Sequence, residues 1–218
     1  MNQQSKNRRD FLKGASLVAV AFPFLVNCKT NTAGQKSESV LSLIKKNAAP
    51  PGTEARGAIE APDNISWKTA LSKKSDKDEP MNISGTIFQP DGKTPAPNVL
   101  IYFYHTDSEG YYGRGGEVRD GHFRGWMLTG ADGKYEFSSI KPAAYPNRTD
   151  AAHVHMTLTG LNFKEDSINT ILFEGDPLIK ERERNSVGKW GESIPILKLE
   201  KGADGILRGT RNFKLWTY

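Results

Sequence analysis

The chain has 218 residues, 37% of them hydrophobic and 25% charged, the composition of a folded domain with additions and not of a disordered or fibrous protein. The formal charge of +5 first suggests an acidic partner, but Lys6, Arg8, Arg9 and Lys13 against the single Asp10 supply most of it, so nucleic acid is not an expected partner. A lone cysteine, Cys28, excludes an internal disulfide framework.

Residues 1–28 read as a targeting segment. In "NRRDFLKGASLVAVAFPFLVNC" two arginines precede Phe11, Leu12 and Lys13, and the apolar stretch Ala15–Val26 is too short to span a bilayer comfortably. R-R-x-F-L-K resembles a twin-arginine export signal, whose pathway carries folded proteins. "LVNC" resembles a lipobox, with Asn27 in place of the usual small residue. Cys28 is therefore expected to carry lipid, making the chain an exported lipoprotein, periplasmic or tethered to a membrane.

Residues 29–63 are rich in Lys, Ser, Asn, Ala, Gly and Pro and are expected to form a flexible tether. "SESVLSLIKKN" is a short helical candidate with Ser37 as its cap, and "AAPPGTEARG" ends it. From residue 64 to 218 the pattern is one of strands. "MNISGTIF" and "NVLIYFYH" flank the turn chemistry of "QPDGKTPAP". "GWMLTGADGKYEFSSIKP" repeats strand, Asp-Gly turn and strand; "AHVHMTLTGL", "INTILFEG" and the closing "SIPILKLEKGADGILRGTRNFKLWTY" continue the series. Short strands at close spacing predict an all-β fold, an antiparallel β-sandwich with irregular loops and little helix.

Within that frame, His153 and His155 stand two apart in a strand, so both imidazoles point to one face and can converge on one metal. A pair of polar histidines at the edge of a core gives the same pattern. Tyr145 precedes Pro146, which presses it into an extended conformation, and Tyr112 follows Gly110 just beyond a strongly apolar strand. Taken singly, each tyrosine reads as ordinary packing with its hydroxyl wet.

Taken in order, "GTIFQPDGKTPAPNVLIYFYHTDSEGYY", "FRGWMLTGADGKYEFSSIKPAAYPNRTDAAHVH" and "ILFEGDPL" resemble the intradiol ring-cleavage dioxygenases, the family of protocatechuate 3,4-dioxygenase and catechol 1,2-dioxygenase, in its shorter exported branch. The resemblance implies a prealbumin-like sandwich binding non-haem Fe(III) through Tyr112, Tyr145, His153 and His155. It implies a small aromatic diol and O2 as substrates and a cis,cis-muconate as product. Tyr145 would leave the iron and act as a base, and Arg148 would polarise the substrate, although Arg148 lies five residues before His153 where the family has three. Trp126 is a candidate for the mouth of the pocket, with Arg124 and His122 beside it, ordinary packing or solvent exposure being the other reading of each, and His105 is expected to be structural. The rival reading is a non-catalytic prealbumin-like binding module of an exported surface protein, which shares the turn rhythm but has no use for the Tyr, Tyr, His, His set. Nothing in the sequence assigns an oligomeric state.

Overall fold

A computed structural model describes residues 38–50, 57–71, 75, 77–113, 120–185 and 196–216. The twin-arginine-like segment, Cys28 and Ser37 lie outside them. The compact unit runs from Glu38 to Tyr218. Its strands are β1 Lys68–Ala70, β2 Pro80–Phe88, β3 Leu100–His105, β4 Phe123–Leu128, β5 Lys134–Ile140, β6 His153–Thr159, β7 Asp166–Phe173, β8 Ile196–Leu197, β9 Glu200–Lys201, β10 Leu207–Thr210 and β11 Phe213–Lys214. Helix is limited to α1, Val40–Lys45, a 3-10 turn at Ala58–Glu60 and α2, Glu181–Arg184.

One sheet has the order β1-β5-β2-β10-β9, with β11 also on β2, and the other has the order β4-β3-β6-β7-β8. Alternation explains how they meet. Met81, Ile83 and Ile87 of β2 and Tyr135 and Phe137 of β5 face Ile101 and Phe103 of β3 and Val154, Met156 and Leu158 of β6 in one core. The fold is thus the expected all-β sandwich. Its central pairings are antiparallel, while β1 on β5, β10 and β11 on β2, and β8 on β7 are parallel. These parallel partners are short, with β10 lying between β2 and β9, and period-2 patterning carries no sign of a strand's direction.

All of β3 is buried, although only one of its faces meets the core. The other face is partly covered by residues expected to be a free tether. Leu41 and Ile44 of α1, Ala58 and Ala61 bury themselves with Leu100 against Trp126 and Leu128 on the outer face of the β4-β3-β6 sheet. The side chain of Ser39 caps α1 by accepting from Ser42 N–H at 3.1 Å. Two pairs of small and aliphatic side chains, each three residues apart and separated by a long gap, were too sparse a signal to reveal that docking.

Candidate metal centre

The rest of that outer face holds a cleft of about 490 Å³ lined by Tyr112, Tyr145, His153 and His155, with Tyr104, Asp120, Arg148 and Thr170 among its walls. His153 and His155 come from the start of β6, with Val154 between them buried in the core. Just before β6, Ala152 N–H donates to Asp176 Oδ2 at 2.9 Å, so the "FEGDP" segment fixes the entry to the histidine strand. Opposite His155, β7 carries one extra residue, because Val154 pairs with Ile171 but Met156 with Ile168. Such a bulge re-aims side chains beside a site.

Two loops deliver the tyrosines. After β3, Asp107 Oδ1 accepts the N–H groups of Glu109 and Tyr111, each at 2.9 Å, closing a tight loop just before Tyr112. That loop is tied to the segment after β5: Thr106 Oγ1 donates to Ala143 O at 2.7 Å and Ala143 N–H donates to Asp107 O at 3.0 Å. Gly110 makes the approach possible. It has φ +86, and a Cβ there would stand 2.1 Å from Ala144 O. Tyr145 opens a β-turn in which its carbonyl accepts Arg148 N–H at 3.4 Å; Pro146 and Asn147, with φ 61, occupy the central positions in a type II pattern.

The four donor atoms converge. Tyr112 Oη lies 2.5 Å from Tyr145 Oη, Tyr145 Oη 3.3 Å from His153 Nε2, and His153 Nε2 2.9 Å from His155 Nε2. His153 Nδ1 lies 2.6 Å from Ala151 O, a contact only an N–H can make, so its Nε2 carries the lone pair that faces the other donors. Two imidazole nitrogens bound to one metal at about 2.0–2.1 Å and at right angles stand roughly 3 Å apart, so the histidine spacing fits a shared ion. Among the described residues no group of three or more His, Cys, Asp or Glu could hold a metal. This set is instead half phenol.

Electrostatics point the same way. Burial pushes the Tyr112 hydroxyl well above its ordinary range, helped by the Tyr145 hydrogen bond and by the nearby Asp120 carboxylate. The polypeptide alone therefore keeps this phenol neutral, and a polyvalent cation at the point of convergence would be needed to ionise it. Burial, then the neighbouring imidazoles of His153 and His105, lower His155 to about 3, so it is a neutral ligand-ready imidazole at physiological pH.

Arg148 is brought to the cleft. Its guanidinium lies 5.3 Å from the Tyr145 ring centroid and its Nε 3.4 Å from Asp150 Oδ2, on a side chain 67% exposed. Trp126 is not. Its Nε1–H donates to Gly57 O at 2.7 Å and its ring packs on the α1 cluster, because its register on β4 places it one strand away from the histidines, on the far side of β3. Arg124 pairs with Glu60 at 2.6 Å beside it. His105 faces the core, donating from Nδ1 to Thr106 O and accepting from Ser139 Oγ. Asp120, which accepts from Tyr102 Oη at 2.6 Å, and Tyr104 are cleft residues that sequence reasoning missed. The parity of Tyr102 and Tyr104 in "LIYFYH" was a usable signal for the second.

A family model described as a dioxygenase matches residues 59–189. Catechol 1,2-dioxygenase 1 of Acinetobacter lwoffii is 32% identical over 146 residues, covering 58% of this chain and 46% of that protein. The protocatechuate 3,4-dioxygenase beta chain of Burkholderia cepacia is 28% identical over 139 residues, covering 59% and 57%. The chain belongs to the intradiol dioxygenase family. It spans about half the length of the curated relatives it matches. Among solved structures, the dioxygenase domain of a dioxygenase and carbohydrate-binding fusion from Streptomyces sp. SirexAA-E is 25% identical with a TM-score of 0.52, over 72% of this chain and 92% of that one. Chlorocatechol 1,2-dioxygenase from Pseudomonas putida shares the fold, with a TM-score of 0.54 at 19% identity over 77% and 70%. The family match covers both tyrosines and both histidines of the cleft.

Proposed function

We propose that this intradiol-family protein is an exported, membrane-tethered dioxygenase that binds non-haem Fe(III) and opens a catechol-type ring between its two hydroxylated carbons. Both atoms of O2 enter a cis,cis-muconate-type product. The observation that carries this reading is the convergence of Tyr112, Tyr145, His153 and His155 in one cleft. Two ionised phenols offset the charge of a hard trivalent ion, and two neutral imidazoles complete the set without adding charge. Ferric iron held there would supply Lewis acidity and draw electron density from a catecholate.

The chain's own residues supply the rest. Tyr145 Oη, in contact with Tyr112 Oη and His153 Nε2, is placed to accept a proton from a catechol hydroxyl. The Ala151 carbonyl holds the His153 ring so that Nε2 stays aimed at the cleft. Arg148 sets a cation over the Tyr145 ring, beside the negative charge that develops as the diol ionises. Leu172 and Ala151 give a single aromatic ring an apolar wall, and the cleft volume lies in the range of small-molecule sites. The rival binding-module reading gives no reason for four ligand-type side chains to meet. The twin-arginine-like segment and the lipobox-like Cys28 support the cellular placement.

Oxygen uptake and ring-opened product from iron-loaded protein and catechol test the proposal. His153→Ala and Tyr145→Phe should each remove most of the turnover, and wild-type rates in both would end the reading.

A further inference from the structure

The two imidazoles are held in different ways. His153 is fixed by its Nδ1–H bond to Ala151 O. Among the described residues His155 has no such bond at Nδ1; its hydrogen-bonding contact is Nε2 against His153. A ligating imidazole normally takes its orientation from a partner on the other ring nitrogen.

A ring does that work here. Tyr104 of β3 is the cross-strand partner of His155 on β6. Directly opposed residues of an antiparallel pair have Cβ atoms only about 5 Å apart, so their side chains meet. The Tyr104 and His155 rings lie face to face, 4.5 Å between centroids at 14°. His153 closes the arrangement edge-on to His155, 4.5 Å away at 85°. On the other flank the extra residue of β7 interrupts regular pairing opposite His155, leaving the β3 side to define its ring plane.

Tyr104 is itself braced. Tyr102 stacks on it at 5.5 Å, and Trp126 lies against Tyr102 at 5.2 Å. Trp126 is pinned to Gly57 O, and Tyr102 Oη to Asp120. The row Trp126–Tyr102–Tyr104–His155 thus runs along the outer face of the sheet from the docked N-terminal segment to the donor cluster. This gives Trp126 a place in the site's support without a place in the cleft.

We propose that Tyr104 is a positioning residue that holds the His155 imidazole in its metal-binding orientation by ring stacking in place of a hydrogen bond. The proposal rests on the reading of His155 as an iron ligand. It assigns the role to the ring of Tyr104 and not to its hydroxyl.

The test is iron affinity, measured on metal-free protein by competition with a chelator, together with the position of the tyrosinate-to-iron absorption band. Tyr104→Phe keeps the ring and should bind iron within about twofold of wild type, since a stacked pair survives loss of the hydroxyl. Tyr104→Leu should bind at least about tenfold more weakly, the scale for losing an outer partner of a ligand, with a shifted band. If Tyr104→Leu lowers the melting temperature of the metal-free protein, Tyr104→Met, which keeps volume without a ring, replaces it. Wild-type affinity and band position in the Leu or Met protein overturn the proposal. So does a Tyr104→Phe protein as weak as Tyr104→Leu, because the hydroxyl would then be responsible. A wild-type protein that binds no iron contradicts the ferric reading itself, a separate outcome.

Discussion

Glu165 fastens the N-terminal segment to the sheet with an acceptor pattern that a neutral side chain cannot copy. Its Oε2 accepts Ala49 N–H at 2.9 Å, and its Oε1 accepts Ala58 N–H at 3.0 Å and Thr157 Oγ1–H at 2.9 Å. Its own N–H donates to Asn47 O at 2.7 Å, and the residue is 7% exposed. Glu165→Ala leaves two amide groups and a hydroxyl without their acceptor. A buried donor without a partner costs about 1–3 kcal/mol, and water can reach the partly exposed Ala49, so the net loss should be about 3–5 kcal/mol. Glu165→Gln keeps an oxygen for Ala58 and Thr157 but turns an NH2 towards the Ala49 donor, for a loss of about 1–2 kcal/mol. Amide hydrogen exchange over residues 41–48 and 58–61 reads the effect directly. Each 1.4 kcal/mol is a factor of ten, so Glu165→Ala should speed exchange there by roughly a hundredfold or more, with Glu165→Gln between it and wild type. Unchanged exchange in the Ala protein would refute the claim that this carboxylate holds the segment down.

Burial, only partly countered by its bond to Thr106, lowers His105 to about 4. An unfolded histidine binds its proton below about pH 6.5, so acidification towards pH 4 favours the unfolded chain; the stability is full above pH 6.5 and lost on the way down, by at most about 3 kcal/mol from this group. Urea midpoints of the metal-free protein at pH 7 and 4.5 should show that decline, flattened in His105→Gln but not abolished, because His155 is lowered as well. Gly110→Ala should lose iron stoichiometry more than melting temperature, because a Cβ at that positive φ pushes on Ala144 O and parts Tyr112 from Tyr145. In cells, Cys28→Ala should move the protein out of the membrane fraction and remove a lipid-sized mass increment, and a wild-type protein of unmodified mass would contradict the anchor.

Most of the strand pattern and all four convergent donors were legible in the sequence, for different reasons. The strands declared themselves because Met81, Ile83 and Ile87, or Val154, Met156 and Leu158, alternate with polar neighbours. The donors declared themselves by residue type and order, since H-x-H in a strand fixes a common face and a Tyr-Pro turn fixes where a tyrosine begins. What failed were questions of register and long-range packing. Trp126 could be read either as a pocket-mouth residue or as ordinary packing, and only register, which sets it a strand away from the histidines, decides for packing. Ala58 and Ala61 gave no sign that they would be buried, because small residues bury wherever a larger surface accepts them. Tyr104 acquires its importance only from the residue opposite it, and pairing between strands fifty residues apart has no local signature.

The most direct test of the central claim is the visible spectrum of the purified domain, with iron quantified on the same sample. The account predicts one iron per chain, a red-brown tyrosinate-to-Fe(III) band, and a shift of that band when catechol is added without oxygen. A protein that stays colourless after reconstitution with ferric iron would contradict it.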